Sequence, residues 1–178
     1  MDRITTFYCP VLRVYTTAMS FFVQATNAKS PKTANAAKVA LLLAGILIIL
    51  AIMQLFNFPK FASAIYDMWL PGVDSALSKP LAALVVTAEV FAIPFLLRMH
   101  LSPLMRLTSM ILGWLSVAWW LFALVWENVN PMSLANNGLF GGTIALPVGW
   151  WSVCFMLGVA VLVVWASWGL WPLPLRRR

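Results

Sequence analysis

An acidic residue stands in the middle of an otherwise apolar stretch of this sequence. Glu89 lies within LAALVVTAEVFAIPFLL. An acidic side chain inside a bilayer costs about 2.5–3.5 kcal/mol on insertion scales. It must therefore face other helices, carry a proton or find a polar partner. We expect Glu89 to exchange protons within a site, and a purely structural hydrogen bond is the alternative.

Two further residues give Glu89 polar surroundings. Pro94 removes the helical hydrogen bond to the Val90 carbonyl, so a kink is predicted beside Glu89. Gln54 is the most polar residue in the second half of an earlier apolar stretch, residues 39–58. If both stretches cross a membrane as helices, Gln54 and Glu89 differ in depth by roughly 6 Å. Their long side chains are therefore predicted to come within reach, directly or through water. Such a pair fits a proton-exchanging site and a structural interhelical bond equally well.

The composition decides the class of protein. Of 178 residues, 62% are hydrophobic and 10% are charged, whereas soluble domains have about 45–50% apolar and about 25% charged residues. A soluble domain of this length is too small to bury so many apolar side chains. Soluble enzymes, nucleic-acid-binding modules and disordered proteins are excluded, and an integral membrane protein is predicted.

Four segments are long enough to cross a bilayer core of roughly 30 Å. We predict an all-α bundle of four transmembrane helices in residues 39–171, with spans at about 39–58, 81–97, 107–126 and 145–170. After the first span, a short outer helix is expected until Pro71-Gly72. Its apolar stripe of Phe61, Ile65, Met68 and Trp69 can lie on the membrane or, as we favour, cap the bundle.

Basic residues orient the predicted bundle. Ten of the twelve lysines and arginines fall in residues 1–38, in the loop 98–106 and in the tail 172–178, so both termini are predicted to be cytoplasmic. The net charge of +7 then reports orientation and does not indicate nucleic acid. Residues 1–38 are expected to hold an amphipathic helix that lies on the cytoplasmic leaflet or docks onto a partner.

Metal and thiol chemistry are not indicated. Cys9 and Cys154 form no Cys-x-x-Cys motif, and His100 is the single histidine. One histidine cannot supply both axial ligands of a haem. We expect no metal and no covalently bound cofactor.

The segment from the first to the fourth span resembles the DoxX/DoxD and MauE-like group of small four-helix membrane proteins. The resemblance rests on Phe58-Pro-Lys-Phe61, on the outer segment that ends Trp69-Leu-Pro71, and on Ala88-Glu89 in a second span led by proline. Two positions depart from the family. Many relatives carry Gly-x-Lys where this chain has Ile52-Met-Gln54, and the MauE-like members have a cysteine motif where it has Leu139-Phe-Gly-Gly142.

The resemblance implies redox chemistry that involves quinones, in the prokaryotic cytoplasmic membrane. Members are associated with thiosulfate:quinone oxidoreductases or with maturation of a periplasmic redox enzyme, which implies membrane or periplasmic protein partners. Glu89 and Gln54 are then expected to exchange protons with a quinone or to hydrogen bond to it, and Tyr66, Trp69 and Trp119 are candidates for binding it. The absence of cysteine from residues 139–142 excludes thiol–disulfide exchange at that loop. The alternative is a structural or assembly subunit of a larger membrane complex.

Overall fold

The computed structural model describes residues 30–130, 137–141, 144 and 147–171 as an all-helical protein. Five helices follow one another in the described residues: α1 Ala34–Phe56, α2 Phe58–Asp67, α3 Ser75–Leu96, α4 Pro103–Val129 and α5 Trp150–Gly169. The predicted four-helix membrane bundle with a short helix after the first span is confirmed. The predicted amphipathic helix, Cys9 and the basic tail lie outside the described residues.

Polar capping residues set where the helices begin. The side chains of Thr33, Asp74 and Ser102 accept hydrogen bonds from backbone N–H groups in the first turns of α1, α3 and α4. These bonds satisfy donors that a helix start leaves unpaired. The three helices therefore begin several residues before the apolar stretches of the sequence. By contrast, α5 begins later than predicted, at Trp150, after Gly149.

The four long helices form a closed ring. α3 packs against α1 and α4, and α5 packs against α4 and returns to α1. Neighbouring spans are thus antiparallel in the order of the chain, as in an up-down-up-down bundle. The short helix α2 packs mainly on α3. We call the end of the bundle that carries α2 and residues 137–141 the loop side, and the end near Ser30 and Trp171 the tail side.

The outer surface of the ring is apolar. All four long helices are long and apolar enough to cross a membrane, and many of their large apolar side chains are exposed, among them Leu41, Leu84, Leu115 and Val161. Trp150 at the start of α5, and Trp168 and Trp171 at its other end, are exposed as well. Such tryptophans are typical of the membrane–water interface. The protein is therefore a multi-pass membrane protein in contact with lipid.

Close backbone approach joins α1 to α5 at the tail side. A Cβ atom on Gly169 would overlap the Cβ of Ala36, and the Lys32 N–H donates to the Gly169 carbonyl over 3.1 Å. Ala36, Ala40 and Ala44 are buried along the same helix. Small residues let the two helix backbones approach this closely. Such packing stabilises membrane helices because lipid is as apolar as the side chains, so the hydrophobic effect does not drive their association.

The short helix α2 covers the loop side of the bundle. Phe61, Ile65 and Met68 are buried, which confirms that its apolar stripe caps the bundle. Trp69 departs from that prediction, since it is 61% exposed and has a positive φ of 48° directly after the helix. A residue in this left-handed conformation ends the helix, and its side chain leaves the stripe.

Candidate functional site

Glu89 is the centre of a buried polar cluster. Its side chain is 0% exposed. One carboxyl oxygen, Oε1, accepts hydrogen bonds from Trp120 Nε1 at 2.8 Å, from Gln54 Nε2 at 3.4 Å and from Ser116 Oγ at 3.5 Å. The other oxygen, Oε2, is buried without a partner in the described structure. The carboxyl group thus ties α3 to α1 and α4 and keeps one oxygen available.

The antiparallel register of α3 and α4 brings the α4 donors to Glu89. A Cβ on Gly113 would lie 3.2 Å from the Cβ of Ala92, so the two backbones approach closely one turn toward the tail side from Glu89. Ser116 and Trp120 lie about one and two turns further along α4 and face the same side of that helix. Both are buried. Trp120 also packs against the Phe61 ring of α2, with 6.1 Å between ring centroids.

Gln54 joins the cluster to the third loop. Its Nε2 donates both to Glu89 and, over 3.4 Å, to the carbonyl of Leu139. The predicted approach of Gln54 and Glu89 is therefore direct. Gln54 is 0% exposed, and its Oε1 has no partner among the described residues. An amide that donates to both neighbours and has a free acceptor can receive a further hydrogen bond.

Residues 137–141 form a turn that closes over the cluster. The Gly141 N–H donates to the Gly138 carbonyl over 2.8 Å, and Leu139 is fully buried. Gly141 has a φ of +63°, and a Cβ there would lie 2.5 Å from the Cα of Gln54 and 2.6 Å from the Met53 carbonyl oxygen. Only glycine allows this contact. The turn therefore holds the end of α1 and fixes the backbone of Gln54.

Asn137 begins this turn inside the protein. It is 0% exposed, and its Oδ1 accepts the Leu139 N–H over 3.2 Å. Its Nδ2 is buried and has no partner in the described part of the chain. A chain of hydrogen bonds thus runs from Asn137 through Leu139 and Gln54 to Glu89.

Pro94 opens the helix next to Glu89, and a serine bridges the opening. The Phe95 N–H and the Phe91 carbonyl pair with each other in a regular helix. In α3 the Ser109 hydroxyl accepts from the Phe95 N–H over 3.2 Å and donates to the Phe91 carbonyl. Side chains of neighbouring helices commonly satisfy backbone groups beside a transmembrane proline. The site is therefore anchored on its tail side by α4 as well.

A second buried acid, Glu127, was not predicted from the sequence. It lies in α4, which continues to Val129 instead of ending near Trp126. Its side chain is 1% exposed, and both carboxyl oxygens are buried without a partner in the described structure. Glu127 lies two helical turns beyond Trp120 on the same face of α4. Because the burial of Trp120 is itself not evident from the sequence, this spacing did not predict the burial of Glu127.

The three predicted quinone-binding aromatics do not converge. Tyr66 and Trp69 are exposed and lie beside each other at the end of α2, with 6.4 Å between ring centroids. Trp119 instead lines a lipid-facing groove of about 340 Å³ between α3 and α4. The groove is otherwise walled by apolar residues, namely Leu70, Pro71, Val73, Leu77, Pro80, Leu81, Leu84 and Phe122. The indole Nε1 of Trp119 has no partner in the described part of the chain.

A second groove lies at the tail side. It has a volume of about 510 Å³ and is lined by Thr33, Asn35, Val161, Val164, Trp165 and Trp168. The Lys32 ammonium lies 4.6 Å from the ring centroid of Trp168. Within the described residues, neither this groove nor the Trp119 groove is lined by Glu89.

Metal-binding clusters are not found within the described ranges. No three His, Cys, Asp or Glu side chains come together there, and Cys154 is an exposed free thiol. What the site offers chemically is a carboxyl group with one free oxygen, an amide and a hydroxyl. These groups can hold and pass protons or hydrogen bond to a polar ligand.

Glu89 and Gln54 were predicted from the sequence, whereas Ser116, Trp120 and Asn137 were not. Ser116 and Trp120 are spaced i, i+4 in the helix that follows Glu89, which puts them on one face. Asn137 carried no such signal, because loops have no periodicity.

No protein-family profile matches the chain, and neither a curated protein nor a solved structure is significantly similar to it.

Proposed function

We propose that this protein is an integral-membrane subunit of a quinone-linked redox complex, and that Glu89 is its proton-exchanging group. The observation that carries the proposal is the asymmetry of the Glu89 carboxyl. Three donors hold Oε1, while the buried Oε2 has no partner among the described residues. A fixed carboxyl with one free oxygen is suited to take up and release a proton.

The groove beside Trp119 supports a quinone as the ligand. Its volume of about 340 Å³ falls within the roughly 300–1,000 Å³ typical of small-molecule sites. Its lining is apolar, as a quinone ring and tail require, and the Trp119 ring forms part of its wall. Trp119 and Trp120 are consecutive residues of α4, so the groove and the Glu89 cluster share one helical turn.

Reduction of a quinone to a quinol takes up two electrons and two protons. In this proposal the electrons come from a redox partner protein, and the resemblance to the DoxX/DoxD group points to a sulfur-oxidising partner. Glu89 would give one proton toward the reduced quinone, be reprotonated, and give the second. In this proposal the protein lies in the prokaryotic cytoplasmic membrane with its tail side in the cytoplasm and its loop side outside.

Quinone-dependent turnover and bound quinone test the proposal. The full-length protein would be isolated with its partners in a mild detergent, and reduction of decylubiquinone would be followed. We expect Glu89→Gln to assemble normally, because glutamine also accepts from Trp120, and to lose most turnover. Trp119→Ala, which removes the ring from the groove wall, should retain less quinone, whereas Trp165→Ala, in the tail-side groove, should retain as much as the wild type. Unchanged turnover in an assembled Glu89→Gln complex would refute the proposal.

A structural or assembly subunit is the second candidate, and one observation favours it. Glu89 is enclosed and, within the described residues, lines neither groove, so its hydrogen bonds to α1 and α4 serve to hold three helices together. In that case Glu89→Gln keeps full turnover of the complex. Glu89→Leu, which removes all three acceptor contacts, would then weaken assembly with the partner proteins.

A further inference from the structure

Glu127 is a buried acid that the proposed quinone chemistry does not use. It lies two residues from the loop-side end of α4, whose 27 residues rise about 40 Å and exceed the roughly 30 Å of a bilayer core. Glu127 therefore lies at the level of the membrane surface. It is nevertheless 1% exposed, so its carboxyl faces the interior of the bundle and not the lipid headgroups.

The other charged residues of the loop side behave differently. Within the described part of the chain, Lys60, Asp67, Asp74 and Lys79 are all exposed. Glu127 is thus the one described charged residue of this end that is buried, and both its oxygens lack a partner there. A buried carboxyl without a hydrogen-bond partner is rare in proteins and calls for a ligand, water or a catalytic role.

Further unpartnered polar atoms are buried around Glu89 and in the turn on its loop side. Asn137 Nδ2, Gln54 Oε1 and Glu89 Oε2 are buried without partners in the described structure, and hydrogen bonds connect all three residues. Two helical turns separate Glu127 from Trp120, which donates to Glu89, a rise of about 10 Å. About three water molecules at the usual O···O spacing of about 2.8 Å cover a length equal to that rise.

We propose that Glu127 and Glu89 are the two carboxyl groups of a proton path that opens on the loop side, joined by water held by Asn137 and Gln54. A proton leaves Glu127 for the first water, the last water gives one to Glu89 Oε2, and Glu127 is reprotonated from the loop-side medium. Each transfer breaks and forms one O–H bond, and the net change is one proton moved inward. The inference rests on the proposed proton exchange at Glu89 and not on the quinone.

Infrared spectroscopy of the full chain in lipid nanodiscs tests the path. The carboxylic acid C=O band of Glu89, identified by its loss in Glu89→Gln, would be followed after transfer into D₂O at a pH where the band is present. We expect Glu127→Gln to slow deuteration of Glu89 by about two orders of magnitude, the lower end of what a positioned proton-transfer group contributes. Glu127→Asp, which keeps a carboxyl group, should restore much of the rate.

Asp67→Asn is the matched control, because it removes an exposed acid from the same end of the bundle and should leave the rate unchanged. A wild-type rate in Glu127→Gln would overturn the path but leave proton exchange at Glu89 intact. A Glu89 group that shows no acid band at any pH, or never exchanges in the wild-type chain, would overturn both the path and the proposed role of Glu89. Slow exchange in Glu127→Gln with normal exchange in the other two variants supports the path.

Discussion

The indole N–H of Trp120 donates to Glu89 Oε1 over 2.8 Å, the shortest of the three hydrogen bonds to that carboxyl group. Both side chains are 0% exposed. The bond joins neighbouring spans at the middle of the bundle, and the Trp120 ring also contacts Phe61 of the capping helix α2. Trp120 of α4 therefore connects Glu89 of α3 with the short helix α2 at the loop side.

Trp120→Phe is expected to destabilise the bundle. The change removes an interhelical hydrogen bond worth about 0.6–2 kcal/mol and shrinks a buried ring that packs on Phe61. We expect the free energy of unfolding in detergent to fall by about 1–3 kcal/mol. Trp119→Phe is the control, since its Nε1 has no partner in the described structure. Equal losses in the two variants would contradict the assigned role of Trp120.

Gly141→Ala is expected to displace the turn from α1. The new Cβ would lie 2.5 Å from the Cα of Gln54, and the φ of +63° is unfavourable for alanine. Strain of this kind costs about 1–3 kcal/mol, measurable as a lower midpoint of thermal unfolding. Gly158→Ala is the control, because a Cβ there meets nothing within 4 Å, and it should be neutral or stabilise by about 0.5–1 kcal/mol. A harmless Gly141→Ala would mean that the turn does not press on Gln54.

Gly169→Ala is expected to push α1 and α5 apart at the tail side, because its Cβ would overlap that of Ala36. Overpacking of this size costs about 1–3 kcal/mol. The compensating change Ala36→Gly removes the opposing atom, so the double variant should recover much of the stability lost. The measurement is a double-mutant cycle of unfolding free energies, and purely additive losses would argue against the contact.

Ser109→Ala is expected to cost more with Pro94 present than without it. The serine hydroxyl bridges the Phe95 N–H and the Phe91 carbonyl, and its removal should lower the unfolding free energy by about 0.6–2 kcal/mol. In a Pro94→Ala background the two backbone groups can pair with each other, so the same serine change should cost less. An identical cost in both backgrounds would show that the serine does not compensate for the proline.

The sequence contained enough to find the polar pair but not its surroundings. Gln54 and Glu89 are conspicuous because polar side chains are costly in lipid, and counting residues along two helices gives their depth. The sequence does not show which tryptophan of α4 contacts Glu89. Trp119 and Trp120 differ by one position in α4, yet the first lines a lipid-facing groove and the second donates to the acid.

Composition and spacing alone determined that this is a membrane protein, that four helices cross, and that a short helix follows the first of them. These properties follow from the transfer energy of each residue into lipid, which is local and nearly additive. Tertiary structure alone decided the rotation of each helix, the insertion of residues 137–141 above Gln54 and the burial of Glu127. The physical reason is that lipid and protein interior are equally apolar, so hydrophobicity does not tell the lipid-facing side of a span from its packed side.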